Sequence, residues 1–120
     1  MENPVYYWEL ASNDAEKSVD FFKKVFGWEF EYDEIIGLYE IPAKGNPNGF
    51  VGGGIFTLKR AKLPFLTIYI KVNDLENKMR LIEENGGLIV DKPLELPTGS
   101  KVCLFNDPSG VTFAMIQKKS

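Results

Sequence analysis

The sequence predicts an α+β protein built from two tandem copies of one βαβββ module. The chain of 120 residues repeats itself at an offset of 60, as Pro4 and Pro64 or Gly27 and Gly87 show. Each copy opens with a short strand-like segment that leads into an amphipathic helix. Each helix is followed by short strand-like segments, which glycine and proline separate.

In the first copy, residues 5–10 are short, aromatic and predicted to form a strand. Residues 13–16 (NDAE) resemble a capping box, in which an N-cap side chain and a Glu three residues later satisfy free backbone amides. Gly27 is expected to end the helix. The apolar stripe of this helix is Ala15, Val19, Phe22 and Phe26. The three strands that follow are predicted at residues 28–32, 37–41 and 50–56.

The second copy repeats this order after a linker at residues 59–63. Residues 65–72 predict a strand, residues 73–76 (NDLE) a second capping box, and Gly86 with Gly87 the end of the helix. The apolar stripe of the second helix is Leu75, Met79 and Ile82. Its three strands are predicted at residues 88–90, 101–105 and 111–117.

Composition favours one globular domain and argues against a nucleic-acid partner. The hydrophobic content of 44% suffices for a core, whereas a unit of about 60 residues is marginal alone. We therefore expect a single domain over residues 1–120, with modules at about residues 1–58 and 63–120. The net charge of −3 and the pI near 5.0 argue against a nucleic-acid partner.

The sequence predicts a cytoplasmic protein that does not enter a membrane. No apolar run approaches the 18 residues of a membrane span, and residues 1–4 lack the features of a secretory signal. Cys103 is the single cysteine, so it has no partner for an internal disulfide. Because the chain contains no histidine to activate a thiol, we interpret Cys103 as a small buried residue.

Side-chain alternation separates two faces of the predicted strands. One face is large and apolar, as at Trp8, Ile70 and Met115, and is expected to pack under the helices. The other face is polar, aromatic or small: Tyr7, Glu9, Thr67, Tyr69, Lys71, Thr112 and Ala114. A concave sheet with that lining would form a ligand pocket. The alternative is a face that is exposed to solvent, as antiparallel sheets allow.

Glu9 is the candidate catalytic residue. A carboxylate beside aromatic rings can serve as an acid or base, or can hold a cationic group. The alternative is a hydrated Glu9, or one that is paired with Lys71 or another cation. Tyr7, Tyr39 and Tyr69 are candidates to stack on a flat ligand, with ordinary packing as the alternative.

The order of elements resembles that of the vicinal oxygen chelate superfamily, and so do residues 26–30 (FGWEF) and 106–113 (NDPSGVTF). This group includes glyoxalase I, extradiol dioxygenases, and the fosfomycin- and bleomycin-resistance proteins. The resemblance covers essentially the whole chain. It implies that curved mixed sheets form an open barrel or funnel, and that the protein is a homodimer.

The same resemblance implies where a metal would be held. In metal-using members the ligands come from the first and last strand of each module, at positions that match Tyr7, Gly54, Thr67 and Ala114 here. The family pattern has His, Glu or Gln there, so we expect no divalent metal and no other cofactor. All four are instead candidate ligand-binding residues, together with Glu9, Tyr39 and Tyr69.

Three functions remain open at this point. The leading hypothesis is metal-independent binding of a small organic molecule in the cavity of the curved sheet. The alternative is a lyase or isomerase of the glyoxalase type, related to lactoylglutathione lyase, that uses Glu9 with an atypical metal or none. A third possibility is an accessory domain that binds a protein partner.

Overall fold

A computed structural model of the chain describes residues 2–41, 52–58 and 64–119. The expected linker at 59–63 and the first two residues of the strand expected at 50–56 lie outside these ranges. The first module contains β1 (Val5–Ser12), α1 (Ala15–Phe26), β2 (Glu31–Asp33), β3 (Leu38–Ile41) and β4 (Gly53–Thr57). The second contains β5 (Phe65–Lys71), α2 (Leu75–Glu84), β6 (Leu88–Ile89), β7 (Leu94–Glu95), β8 (Lys101–Asn106) and β9 (Thr112–Gln117).

The α+β fold class and the repeated strand-helix-strand order are confirmed. Two details of the prediction were wrong. The second module has an additional two-residue strand, β7, which pairs with β8. Strand β2 begins at Glu31 and not at Trp28, because the Trp28 ring stacks on Phe22 of α1 with centroids 4.7 Å apart.

The described residues fall into two compact units. The N-terminal unit is Tyr7–Leu66, and the C-terminal unit is Met1–Tyr6 together with Thr67–Ser120. The strand order is β2-β3-β4-β1 in the N-terminal unit and β5-β9-β8-β6 in the C-terminal unit, with β7 on β8. The expectation of a single domain stays a prediction.

The 60-residue repeat extends to strand register. Strand β1 runs parallel to β4, with Leu10 opposite Ile55. Strand β5 runs parallel to β9, with Ile70 opposite Met115. Each residue of the second pair lies 60 positions after its counterpart in the first pair. The two copies therefore place corresponding side chains on corresponding faces.

Both helices have an aspartate as their N-cap, one residue after the asparagine that the capping boxes predicted. The Asp14 carboxylate accepts a hydrogen bond from the Lys17 amide at 3.2 Å, and Asp74 accepts one from the Asn77 amide at 3.1 Å. Because the carboxylate reaches the third residue of the helix, aspartate and not the preceding asparagine is the N-cap. At the other end of α1, Gly27 adopts φ 69°, as expected for a C-cap glycine.

Each unit has a small apolar core under its helix. In the N-terminal unit the fully buried core is Ala15, Val19 and Ile55, and Trp8 and Leu10 pack against it. In the C-terminal unit the core is Val72, Leu75, Cys103 and Met115, and Ile70 packs against it. The prediction that Trp8, Ile70 and Met115 face the helices is confirmed. Within the described ranges, no helix has the length and apolar character needed to cross a membrane.

The turn before β9 is organised around one carboxylate. Asp107 Oδ1 accepts hydrogen bonds from the Ser109 hydroxyl at 2.7 Å, the Ser109 amide at 3.0 Å and the Val111 amide at 3.0 Å. The Ser109 side chain contributes most, followed by the Val111 amide, and together they lower the pKa of Asp107 from its ordinary value of 3.8.

A lowered pKa in the folded state makes stability depend on acid pH. Asp107 should contribute stability above pH 3.8, and that contribution should disappear as the pH falls through the lowered pKa. Urea unfolding of the wild type and of Asp107→Asn, measured between about pH 2 and pH 6, should therefore show a flatter profile for the variant. Ser109→Ala should give part of the same change. Parallel profiles for all three proteins would contradict this role for the turn.

Candidate functional site

A row of glutamates crosses the sheet of the N-terminal unit. In the strand register Glu31 lies opposite Glu40, Glu40 opposite Gly54, and Gly54 opposite Glu9. Opposed residues share a face of a sheet, and so do residues two apart on one strand, which adds Tyr7. We call this surface, made of Tyr7, Glu9, Glu31, Glu40 and Gly54, the carboxylate face.

The centre of the carboxylate face is a hydrogen bond between two strands. The Tyr7 hydroxyl donates to Glu40 Oε2 at 2.9 Å in a partly buried position. A Cβ atom on Gly54 would lie 2.6 Å from the Tyr7 hydroxyl oxygen and 2.7 Å from Leu38 Cδ1. The tyrosine hydroxyl therefore occupies the space above Gly54 that a side chain would need. A hydrogen bond to a charged group of this kind is worth about 1.5–3 kcal/mol.

The N-terminal sheet carries charge of one sign. Strands β1 to β4 contain four acidic residues and no Lys or Arg. One of them, Asp33, accepts hydrogen bonds from the Ile35 and Ile36 amides and so belongs to the turn after β2. The other three are the glutamates of the carboxylate face. Because like charges repel, a positive group close to this face would relieve the repulsion between the glutamates.

Sequence reasoning found Tyr7, Glu9 and Gly54 but missed Glu31 and Glu40. Alternation along β1 was enough to assign Glu9 to the side away from the helix. The positions of Glu31 and Glu40 depend on how β2 pairs with β3 and how β3 pairs with β4. The sequence of a single strand does not determine its pairing register. The signal in the sequence that could have indicated them is that each of two neighbouring short strands contains a glutamate.

Tyr39 lies on the other face of the same sheet. It pairs with Ile55 and packs against the core formed with Ala15 and Val19. Its ring centroid is 4.6 Å from that of Tyr32. Burial, followed by the nearby Glu16 carboxylate, raises the pKa of Tyr39. The structure therefore does not bring Tyr39 together with Tyr7 and Glu9.

The remaining predicted residues share a face of the C-terminal sheet. Tyr69 lies opposite Ala114, and Thr67 lies two residues before Tyr69 on the same strand. Thr67 is 4% exposed, and its hydroxyl donates to the Thr112 carbonyl at 3.0 Å. Ala114 is fully buried. On the same strand, the Lys71 ammonium lies 5.6 Å from the centroid of the Tyr6 ring.

The four positions that the family resemblance assigns to a metal do not fit one. The Tyr7 hydroxyl is hydrogen-bonded to Glu40, and the Thr67 hydroxyl is bonded to a backbone carbonyl. Gly54 and Ala114 have no donor atom in a side chain. Across the described part of the chain, no three Cys, Asp or Glu side chains come together in an arrangement that could hold a metal. A catalytic site normally needs about three such ligands.

Cys103 lies in the core of the C-terminal unit, as its interpretation as a small buried residue requires. Its side chain is 2% exposed. Burial, followed by the Asp91 carboxylate, raises the pKa of the Cys103 thiol. The thiol therefore stays protonated near neutral pH, which is the opposite of what a nucleophilic cysteine needs.

Comparison with known proteins supports the fold. The family model described as "Glyoxalase/Bleomycin resistance protein/Dioxygenase superfamily" matches residues 6–115. The anthracycline biosynthesis protein DauV of Streptomyces sp. (strain C5) is 24% identical to this chain, in an alignment that covers 93% of this chain. The chain spans about half of that curated relative, 46% of its length.

Two solved structures show the same likeness in three dimensions. The hypothetical protein BH1468 from Bacillus halodurans C-125 aligns with a TM-score of 0.72 at 13% identity, covering 100% of this chain and 97% of that one. Streptomyces coelicolor methylmalonyl-CoA epimerase, in complex with 2-nitronate-propionyl-CoA, aligns with a TM-score of 0.66 at 16% identity over 100% of both chains. At such identities the likeness shows the fold alone.

The contact between Tyr7 and Gly54 can be tested by a double-mutant cycle. Gly54→Ala should destabilise the protein by about 1–3 kcal/mol, because the added methyl group has no space. In a Tyr7→Phe background the same substitution should cost less, because one of the two groups that crowd the methyl group, the hydroxyl, is gone and only the Leu38 side chain remains. Denaturant unfolding of the four proteins measures the difference. Equal costs in both backgrounds would contradict a contribution of the hydroxyl to the crowding above Gly54, because Leu38 alone would then account for the cost.

Proposed function

The chain belongs to the glyoxalase/bleomycin resistance protein/dioxygenase superfamily, and from that premise we propose that it binds a small organic cation without a metal. The observation that carries this proposal is the carboxylate face. Three glutamates share one face, and a tyrosine hydroxyl occupies the space where a fourth side chain would otherwise stand. A face of this composition offers anionic acceptors and an aromatic ring.

The geometry of the sheet suits a ligand that lies between Glu9 and Glu40. Glu9 on β1 and Glu40 on β3 are separated by strand β4. Because neighbouring strands are about 4.8 Å apart, the backbones of these two residues are about 10 Å apart. Glutamate side chains can reach an ammonium group held midway between them. The Tyr7 hydroxyl orients the Glu40 carboxylate, and the Tyr7 ring supplies apolar area and a cation–π surface.

The sign of the charge limits what can be taken from the structural neighbours. The epimerase structures hold CoA esters, which supports small-molecule binding by this fold. CoA carries phosphate groups, and three glutamates would repel them. We therefore propose a cationic ligand and do not transfer the CoA ligand to this chain. Thr67, Tyr69 and Ala114 stay predicted ligand contacts, and the homodimer and the cytoplasmic location stay part of the proposal.

The second candidate is a glyoxalase-type lyase or isomerase. One specific observation favours it: Glu9 and Glu40 share a face, and two carboxylates in different surroundings can act as base and acid. In that case Glu9 would take the proton from the substrate. Glu40 would then be the acid, since its carboxylate is oriented by the hydrogen bond from the Tyr7 hydroxyl.

Tryptamine and its neutral analogue indole-3-ethanol form a matched pair of probes, since they differ in the ammonium group alone. Tryptamine should bind more tightly by calorimetric or NMR titration. Glu9→Gln and Glu40→Gln should each weaken tryptamine binding about tenfold, which is about 1.4 kcal/mol, and leave indole-3-ethanol unchanged. Glu29→Gln, an exposed residue between α1 and β2, is the control and should have no effect. Equal affinity for both probes would refute a cation site.

The enzyme candidate is separated by an activity assay. The glutathione hemithioacetal of methylglyoxal should not be turned over by the purified protein. Turnover that Glu9→Gln abolishes, while Glu29→Gln preserves it, would replace the binding proposal with the lyase.

A further inference from the structure

The two modules fill the space beneath their helices differently. In the N-terminal unit an aromatic cluster occupies this space. The Phe22 and Trp28 rings are stacked, with centroids 4.7 Å apart and planes 10° from parallel, and the Trp8 ring lies 5.9 Å from Trp28. The 60-residue repeat makes Ile68, Ile82 and Leu88 the counterparts of Trp8, Phe22 and Trp28. Each aromatic ring is thus replaced by a smaller aliphatic side chain.

The smaller side chains leave a groove in the C-terminal unit. It has a volume of about 410 Å³ and runs along α2 from Lys78 to Asn85. This volume lies within the usual range for small-molecule sites, about 300–1,000 Å³. Its apolar walls come from α2 and from strands β5, β8 and β9: Ile70, Leu81, Ile82, Phe105 and Met115. Leu88, the counterpart of Trp28, is 60% exposed and does not line the groove, so it does not fill this space as Trp28 does in the first module.

The repeat indicates which shape the groove accepts. Flat rings occupy the corresponding place in the N-terminal unit, between a helix and a sheet of the same register. One wall of the groove is the Phe105 ring, which stacks on Phe113 with centroids 5.8 Å apart. An aromatic ligand can therefore extend an existing stack, and such contacts favour offset parallel rings.

The charged groups at the rim decide the polar part of the ligand. Asp107 lines the groove, but its carboxylate already accepts hydrogen bonds from Ser109 and Val111 within its own turn. Lys78 also lines the groove and is half-buried. Within the ranges that the structure describes, no carboxylate lies within 4.0 Å of its ammonium. A lysine side chain at the edge of an apolar groove is complementary to an anionic group on an apolar body.

We propose that this groove is a second binding site, which takes a small aromatic carboxylate. The ring lies between α2 and the sheet, against Ile82 and Phe105, and the carboxylate accepts hydrogen bonds from the Lys78 ammonium. The site belongs to the C-terminal unit and is opposite in charge preference to the carboxylate face. It does not depend on the ligand or the activity of the carboxylate face.

The probe is 2-naphthoate, and neutral 2-naphthalenemethanol is its uncharged control. Each is titrated into the full chain while backbone amide and methyl NMR signals are followed. Shifts should concentrate at Ile70, Leu81, Ile82, Phe105 and Met115. Lys78→Gln should weaken 2-naphthoate about fivefold to tenfold, as loss of a charge-assisted hydrogen bond does, and leave the alcohol unchanged. Lys92→Gln, an exposed lysine outside the groove, is the control.

A filling variant tests the groove itself. Ile82→Phe restores the residue found at the corresponding position of the N-terminal module, so the fold should tolerate it. It should reduce the affinity for both probes at least tenfold while an unchanged amide spectrum elsewhere shows that the protein is folded. Lys78→Gln gives an independent answer if Ile82→Phe does not fold. The proposal would be overturned if the shifts were spread over the surface, or if the folded variants kept the affinity of the wild type. It would also be overturned if a second copy of the chain covered the groove at NMR concentration.

Discussion

The hydrogen bond from Tyr7 to Glu40 is the constraint on which the candidate site depends. It joins two strands that are not neighbours, β1 and β3, across the backbone of β4. It is possible because residue 54 is glycine, since any side chain there would collide with the hydroxyl. Two of the positions that the family resemblance assigns to metal ligands, residues 7 and 54, are thus taken up by one interaction. The surrounding glutamates remain, and they give the surface its negative charge.

The negative charge of the carboxylate face bears on what this face could bind. A bound divalent metal would place a positive charge in the middle of such a site. Without that charge, the same acidic surroundings favour a positive group that arrives with the ligand. Under the proposal, a cation bound between the glutamates would supply the positive charge at this face.

Most of the fold could be predicted because it is encoded locally and twice. The repeat, the two helices to within one residue at their N-caps, the C-cap glycine Gly27 and the alternation at Trp8 and Ile70 are all short-range signals. The site was less predictable, since Glu31 and Glu40 join it through the pairing of short strands, which depends on distant residues. Tyr39 shows the same limit, because only register places it beside Ile55 and away from Tyr7.

The repeat also shows where the two modules have diverged. Their strand registers and the positions of their cores correspond, yet aromatic rings fill the space under α1 and aliphatic side chains leave a groove under α2. The loss of aromatic volume at Ile82 and Leu88 would destabilise a core if nothing occupied the space. A bound ring would restore part of the missing contact, which is a physical reason for such a groove to bind ligands.

Native mass spectrometry of gently purified protein, before and after incubation with Zn²⁺, Mn²⁺ and Ni²⁺, tests the central claim most directly. One spectrum reports subunit number, bound metal and any retained organic molecule. The account predicts that no stoichiometric divalent metal is bound before or after incubation, and that any retained mass belongs to an organic molecule. One metal ion per chain that survives desalting would contradict the account. The metal would then be bound although the four positions expected to ligate it hold Tyr7, Gly54, Thr67 and Ala114.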